Sequence, residues 1–286
     1  MSRTVVLVTD STAMLPPELA EQRGIVVVPL EVVLDTRSFQ EGVDPEASPE
    51  TIADALRAAE PVSTSRPTPA KFAEVYERAR EGGAREVLSL HLSGELSGTY
   101  ESARLAGRDA SLPVRAVDTR QLGMAAGYAV LTAADVLDRG GSAEEAAGAA
   151  LARAGSTTSL FYVDTLDHLR RGGRIGHAAA LLGSALAVKP LLELVDGRVA
   201  TREKVRTASR ALGRLEELAV AAAADRQVDV AVAHLDHRPR ADDLAARLGR
   251  RLADNLSGRE VLVGEVGAVI GAHVGPGMLA VVVAPR

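Results

Sequence analysis

Hydroxyl side chains cluster in turns at the ends of strands that we predict in the first half of the chain. Ser11 and Thr12 follow a first apolar run, and segments 63–68 and 93–99 each hold several Ser and Thr residues before a predicted helix. In parallel sheets, ligands bind beyond the carboxyl ends of the strands, where helix N-termini offer free N–H groups. The turns therefore predict a site for a carboxylate or a phosphate. Each hydroxyl could instead serve only as a helix N-cap.

The second half of the chain supplies cationic groups that could serve such a site. Arg170, Arg171 and Arg174 surround the pair Gly172-Gly173, which predicts a flexible cationic loop that binds an anion or an acidic partner surface. Solvated arginines beside glycines that merely end a helix are an equal alternative. Lys204 and Arg206 lie further along the chain and are typical of exposed charges.

A histidine beside a constrained turn is the most specific single candidate for a ligand-binding residue. His273 precedes Val274-Gly275-Pro276-Gly277, so we predict that it lies on a tight loop before the last strand. A lone histidine is usually structural, but one held on such a loop is a candidate for contacting a ligand.

Composition and missing motifs exclude several classes of protein. The 286 residues include 33 Lys and Arg against 38 Asp and Glu, and this net charge of −5 argues against nucleic-acid binding. Without Cys, the chain has no disulfide, thiolate zinc site or cysteine nucleophile, and we predict no metal or cofactor. P-loop, dinucleotide, H-E-x-x-H, EF-hand and G-x-S-x-G motifs are also absent.

Hydrophobic patterning argues against a targeting or membrane segment. The apolar run before Asp10 spans about six residues, too few for a signal peptide. The longest apolar region, Ala178–Val188, is well short of the ~20 residues that a membrane span requires. We therefore expect a cytoplasmic protein without an integral membrane segment.

Predicted strands and helices alternate through the first half, which indicates βαβ units and a mostly parallel sheet. The second half contains Asp196-Gly197 between two short apolar segments, the strongest short hairpin signal, and an antiparallel hairpin there indicates a mixed sheet. We predict an α/β protein of two α/β domains, residues 1–156 with the hydroxyl-rich loops and residues 157–286 with the mixed sheet.

A helix predicted at Gly176–Val188 is apolar on nearly every side, which is typical of a buried helix. Its Gly and Ala residues could leave room for an alkyl chain. The same pattern also fits a plain core helix.

Eight segments together carry a family resemblance. They are VTDSTAMLP at 8–16, STSRPTPAKF at 63–72, LSGELSGTYESA at 92–103, VDTRQLGMAAGY at 117–128, YVDTLDHLRRGGRIG at 162–176, KPLLELVDGRV at 189–199, EKVRT at 203–207 and HVGPGMLAV at 273–281. In this order they resemble the DegV family, the fatty-acid-binding proteins (FakB-type subunits) that serve bacterial fatty acid kinase.

The resemblance implies that a long-chain fatty acid such as palmitate is buried between and within the two domains. Its tail would lie in an apolar tunnel of the C-terminal domain. Its carboxylate would be held by Thr64 with Ser65 beside it, by a serine of the 93–97 loop, and by His273. The family often has two consecutive serines where this chain has Ser93-Gly94, so both Ser93 and Ser97 stay candidates.

The resemblance further implies that a separate ATP-dependent kinase phosphorylates the bound carboxylate to an acyl phosphate. The chain would then be a lipid-binding subunit and not an enzyme on its own, which agrees with the missing P-loop. We expect Arg170, Arg171, Arg174 and Arg206 to form an exposed cationic rim that docks the kinase or contacts the phosphoryl group.

Two other functions are also compatible with the sequence, namely a serine hydrolase and a regulator. Ser97, Asp118 and His273 occur in the chain order of α/β-hydrolase triads, although the nucleophile elbow is missing. A regulator that senses a lipid or an anion without any kinase partner is the third candidate.

Overall fold

The computed structural model describes residues 4–181 and 189–286. The strands are β1 (Val5–Asp10), β2 (Ile25–Val28), β3 (Glu31–Leu34), β4 (Arg37–Gln40), β5 (Val62–Ser65), β6 (Glu86–His91), β7 (Val114–Asp118), β8 (Thr158–Tyr162), β9 (Lys189–Val195), β10 (Arg198–Val205), β11 (Val228–His234), β12 (Leu262–Glu265) and β13 (Leu279–Pro285). The helices are α1 (Pro17–Gln22), α2 (Pro49–Arg57), α3 (Pro69–Glu81), α4 (Thr99–Arg108), α5 (Met124–Asp138), α6 (Ala143–Ser156), α7 (Asp167–Arg171), α8 (Ala208–Ala223), α9 (Arg238–Arg251), α10 (Ala253–Leu256) and α11 (Ala268–Val274).

A four-stranded parallel sheet in the order β2-β1-β6-β7 organises the first half of the chain. Side chains alternate across its two faces. Leu7 and Leu88 pack against α5 and α6, whereas Val8 and Val87 pack against α3 and α4. Burial on both faces explains why these strands are apolar at successive positions, and the predicted parallel sheet is confirmed.

A separate three-stranded antiparallel sheet, in the order β4-β3-β5, was not predicted. Segment 63–68, which we predicted as a hydroxyl-rich turn, includes most of β5. Pro29 lies between β2 and β3 and separates these two short strands, and β5 is too polar to be recognised as a strand from its sequence. Phe39, Val32 and Thr64 lie in one cross-strand row, so Thr64 shares the face of the sheet that holds buried Val32.

The second half forms a six-stranded mixed sheet in the order β10-β9-β8-β13-β11-β12. Only β11 and β12 are parallel among its described pairs. Asp196 and Gly197, with φ of 50° and 80°, join β9 to β10, as the type I′ turn requires. The predicted hairpin and mixed sheet are therefore confirmed, and with them the α/β class.

Helix α6 was missed, although the sequence carries its signal. Ser142 accepts a hydrogen bond from the Glu145 backbone N–H at 3.2 Å, and the Glu145 carboxylate accepts from the Ser142 N–H at 2.8 Å. This capping box marks the helix start. The helix ends at Ser156, next to the boundary between residues 1–156 and 157–286, which stays our proposal for the two domains.

Two other local predictions differ from the structure. Residues 176–181 of the helix predicted at 176–188 form a 3-10 helix, and residues 182–188 lie outside the described residues. His273 lies in the last turn of α11 and not on a loop, because the glycine turn that follows it begins only at Gly275, with φ of 74°.

Candidate functional site

A cavity of about 560 Å³ lies between the six-stranded sheet and loops of the first half. Its size is within the range of ~300–1,000 Å³ that is usual for small-molecule sites. Strand alternation builds the floor: Phe161, Ala280 and Ala233 form one cross-strand row, and Ala231 and Val282 belong to the next. Three of these five side chains are alanines, whose methyl groups leave open space above the sheet.

The walls of the cavity are also mostly apolar. Loops that follow strands of the parallel sheet contribute Met14, Leu96 and Leu122, and α11 contributes Val269 and Ile270. Together with the floor, these residues make most of the lining apolar. The cavity therefore suits an extended apolar ligand, because contact with it removes apolar surface from water on both sides.

Polar groups concentrate where β5, the 96–98 loop and α11 meet. The Thr64 Oγ1 and His273 Nε2 atoms are 2.8 Å apart, although 209 residues separate them in the chain. Ser65, Ser97 and Arg174 line the cavity beside this pair. The structure thus brings together four of the five residues that the sequence analysis assigned to carboxylate binding.

The His273 imidazole is neutral at neutral pH. Burial lowers its pKa from 6.5 to about 4, and the positive charge of Arg174 acts in the same direction. The Nδ1 atom is buried and faces Gly172, with no hydrogen-bond partner among the described residues. We assign the proton to Nε2, because a buried N–H without an acceptor is rarer than an unpaired acceptor. Nε2–H then donates to Thr64, which leaves the Thr64 hydroxyl free to donate to a ligand.

Arg174 was predicted as an exposed partner contact, but it lines the cavity and is half-buried. Its Nε donates to the Leu96 carbonyl at 2.9 Å and its Nη1 donates to the Gly172 carbonyl. These bonds fix the guanidinium between two loops. Its charge can therefore stabilise an anion at the polar end of the cavity.

Arg66 also belongs to the candidate site, although it was not among the predicted site residues. It lines the cavity, and a Cβ at Gly98 would overlap its guanidinium, so the side chain lies across the 96–98 loop. Its position two residues after Thr64 was the available signal, since Thr64, Ser65 and Thr68 of the same segment also line the cavity.

The two candidate serines separate clearly. Ser93 is fully buried and is not among the cavity-lining residues, because its hydroxyl donates to the Gly197 carbonyl at 2.8 Å. It joins the 93–97 loop to the β9–β10 turn. Ser97 lines the cavity, and its Oγ lies 2.9 Å from Thr99 Oγ1. Of the two serines, Ser97 is therefore the one placed to contact a ligand.

The hydrolase arrangement is not assembled. The Asp118 carboxylate accepts hydrogen bonds from the Gly94 and Arg120 backbone N–H groups at 3.1 and 2.8 Å. His273 pairs with Thr64 and not with Ser97. The three residues therefore lack the hydrogen bonds of a nucleophile, base and orienting acid.

A second histidine, His91, belongs to a buried polar network and does not itself line the cavity. His91 Nδ1 donates to Asp10 Oδ2 at 2.9 Å, and its Nε2 is 2.7 Å from Ser89 Oγ. Asp10 also accepts from Thr12 and from the Leu92 N–H. It thereby ties together the two turns that carry cavity residues after β1 and β6.

The remaining predicted arginines lie outside the cavity lining. Arg170 and Arg171 are exposed on α7, and Arg170 lies 3.6 Å from Asp167. Arg206 is exposed near the start of α8, in a separate surface depression with Arg210 and Arg214. Of the four arginines, only Arg174 lines the cavity, and a partner-binding role for the other three stays a prediction.

No group of three or more potential metal ligands occurs within the parts of the chain that the structure describes. Within the same ranges, no helix has the length and apolar character needed to cross a bilayer.

A parallel sheet, a mixed sheet and a mostly apolar cavity that includes the Thr64–His273 pair define an α/β protein with a candidate site for a small amphiphilic ligand. The family model described as "Uncharacterised protein, DegV family" matches residues 4–286, and the chain belongs to the DegV family. It is 54% identical over 287 residues to a DegV domain-containing protein of Streptomyces coelicolor, with 100% of each chain covered.

Two solved structures are similar over their whole length. One concerns fatty acid binding of a DegV family protein from Thermus thermophilus, with 36% identity, a TM-score of 0.89 and 100% of both chains covered. The other is DegV, a fatty acid binding protein from Bacillus subtilis, with 30% identity, a TM-score of 0.88 and 100% of both chains covered. The structural neighbours of this chain are thus fatty-acid-binding members of its family.

Proposed function

We propose that this protein binds a long-chain fatty acid such as palmitate in the cavity and presents its carboxylate to a partner ATP-dependent fatty acid kinase, as a FakB-type subunit. The observation that carries the proposal is the cavity itself, whose lining is mostly apolar along the six-stranded sheet and includes the Thr64–His273 pair. The fatty acid binding of the two structural neighbours supports the same ligand class.

The apolar floor accounts for retention of the tail. Burying one methylene contributes ~0.8 kcal/mol, so about 15 methylenes contribute on the order of 12 kcal/mol before the entropic costs of binding. Ala231, Ala233 and Ala280 provide the space for this chain. The head group therefore contributes orientation more than affinity.

The polar end accounts for the position of the carboxylate. The Thr64 hydroxyl donates one hydrogen bond to the carboxylate. The neutral His273 imidazole donates its Nε2–H to the Thr64 oxygen and so orients that hydroxyl. Ser97 offers a second donor, and Arg174 and Arg66 supply positive charge. Together they avoid the cost of an unpaired buried charge.

The kinase supplies the chemistry that this chain lacks. A carboxylate oxygen attacks the γ-phosphorus of ATP on the partner, which yields an acyl phosphate and ADP. The chain has no P-loop, in keeping with a substrate-presenting subunit that is not a catalyst by itself. The exposed Arg170 and Arg171, and separately Arg206, are the proposed partner contacts, and the cytoplasm is the proposed location.

Mass spectrometry of lipid extracted from the purified protein tests the binding step. We expect a long-chain fatty acid that is retained through gel filtration and exchanges with added isotope-labelled palmitate. A folded sample that carries no acyl chain and takes up none contradicts the proposal.

The kinase step has its own assay. Lipid-loaded protein, ATP and a purified fatty acid kinase catalytic subunit should yield acyl phosphate, trapped as the hydroxamate with hydroxylamine. Lipid binding without any product supports the lipid-sensing regulator instead.

A further inference from the structure

Glu41 is a buried acid that the proposed function does not use. It follows β4 directly and is only 7% exposed. Its backbone N–H donates to the Leu30 carbonyl at 2.9 Å, which continues the pairing of β3 with β4. Strand alternation places its side chain on the same inner face as Phe39.

The Glu41 side chain reaches α11, which lies 228 residues away in the chain. Its Oε1 accepts a hydrogen bond from the Val269 N–H at 2.8 Å. The N-cap residue of α11 is Gly267, which has no side chain to satisfy this N–H. A Cβ at Gly267 would overlap Glu41 Oε1. The missing side chain therefore makes room for a cap supplied by a distant residue.

The three-stranded sheet thus contacts α11 at both ends. Glu41, after β4, bonds the first turn of α11 at Val269, and Thr64, on β5, bonds His273 in the last turn. Between these two points, Val32 and Phe39 of the sheet pack in one cluster with Ala268 and Ala272 of the helix. These two hydrogen bonds and the apolar contacts therefore fix the position of α11 on the three-stranded sheet.

We propose that Glu41 is a positioning residue that caps α11 from outside the helix and thereby sets the orientation of His273 and of the Thr64 hydroxyl toward the bound carboxylate. This inference rests on the proposed function for the identity of the ligand, but the placement of His273 is measurable without any ligand.

The surroundings of the second carboxylate oxygen of Glu41 indicate which substitution should preserve the capping of α11. Oε2 has no hydrogen-bond partner among the described residues. Burial raises the pKa of the carboxyl; hydrogen bonds from Ser11 and from the Val269 N–H act in the opposite direction, and the negative charge of Asp10 adds to the rise. The position therefore needs an acceptor for the Val269 N–H and not a negative charge. Glutamine supplies that acceptor.

The test compares Glu41→Ala, Glu41→Gln and the control Glu46→Ala, which removes an exposed carboxylate five residues away. NMR of the His273 ring in lipid-free protein is the first readout. We expect its pKa to rise from about 4 toward 6.5 in Glu41→Ala, because a loosened α11 exposes the imidazole. The pKa should stay unchanged in Glu41→Gln and Glu46→Ala.

Bound [1-13C]palmitate is the second readout. In Glu41→Ala the carboxyl carbon signal should shift and the ligand should dissociate about fivefold faster, the factor expected for losing one helix cap. Glu41→Gln should restore both values. If Glu41→Ala does not fold, Glu41→Asp is measured in its place, because its shorter side chain withdraws the acceptor from the Val269 N–H.

Unchanged His273 and carboxyl signals in the folded variant overturn the positioning role. Equal changes in Glu41→Gln also overturn it, since the charge would then be what matters. If wild-type protein binds no palmitate but Glu41→Ala still shifts the His273 pKa, the proposed function fails and the positioning role stands.

Discussion

Two histidines in this protein each pair with a hydroxyl group, but their surroundings differ. His91 is fully buried and has hydrogen-bond partners at both ring nitrogens, Asp10 and Ser89. Among the described residues, His273 has a hydrogen-bond partner only at Nε2, and it lines the cavity. The Asp–His–Ser series around His91 resembles a catalytic triad, yet its three residues are buried and do not line the cavity. Access to the cavity, and not the pairing of residue types, distinguishes the candidate site from a structural network.

The comparison predicts that the His91 network controls stability. Asp10 accepts four hydrogen bonds from buried donors, so Asp10→Ala should lower the free energy of unfolding by about 4 kcal/mol, as removing one partner of a buried polar network does. Urea denaturation measures this effect. Asp54→Ala, which removes an exposed carboxylate paired with Arg57, is the control and should change stability by less than about 0.5 kcal/mol. Equal effects in the two variants would contradict the prediction.

His273 should make stability depend on pH. Its pKa is about 4 in the folded protein and 6.5 in the unfolded chain, so the unfolded chain binds more protons between these values. Stability should therefore fall as pH drops from 6.5 to 4 and should change no further below 4 on account of this group. The contribution is at most about 3 kcal/mol.

His273→Gln isolates that contribution. The variant should lose less stability than wild type between pH 6.5 and 4, whereas the exposed His177→Gln control should follow the wild-type curve. Parallel curves for His273→Gln and wild type would show that His273 is not buried as a neutral ring.

Thr64 and Ser89 are the hydroxyl partners of the two histidines. Removing the Thr64 hydroxyl should affect ligand binding, whereas removing the Ser89 hydroxyl should affect stability. Thr64→Ala should weaken palmitate binding by about 2 kcal/mol, because a hydrogen bond to a charged group is lost. Ser89→Ala should leave binding unchanged and lower the free energy of unfolding by about 1 kcal/mol. Displacement of a fluorescent fatty acid and urea denaturation measure the two quantities. Thr64→Ser keeps the donor and should bind like wild type.

The exposed arginines should affect neither property. Arg171→Ala should change stability by less than about 0.5 kcal/mol and retain the lipid, but it should slow acyl phosphate formation with the kinase. Arg206→Ala probes the separate depression near α8 in the same assays. Loss of lipid together with a lowered melting temperature in either variant would assign that arginine a structural role.

Local chemistry made much of the fold predictable from the sequence. The Asp196-Gly197 turn takes its positive φ values from those two residues, and strand and helix periodicity is likewise local. Eight segments in order indicated the DegV family, which the family model confirms. That resemblance also named Thr64 and His273, which the structure places 2.8 Å apart.

The tertiary structure alone decided which side chains face the cavity. Ser93 and Ser97 are equivalent by sequence, but a contact with Gly197, 104 residues away, buries the first and leaves the second at the cavity. No sequence pattern distinguishes Glu41 from other charged residues, and only the fold places its carboxylate at the Val269 N–H. Turns and periodicity depend on neighbouring residues and can therefore be predicted locally. The positions of Ser93, Ser97 and Glu41 depend on contacts between residues far apart in the chain, for which a single sequence carries no local signal.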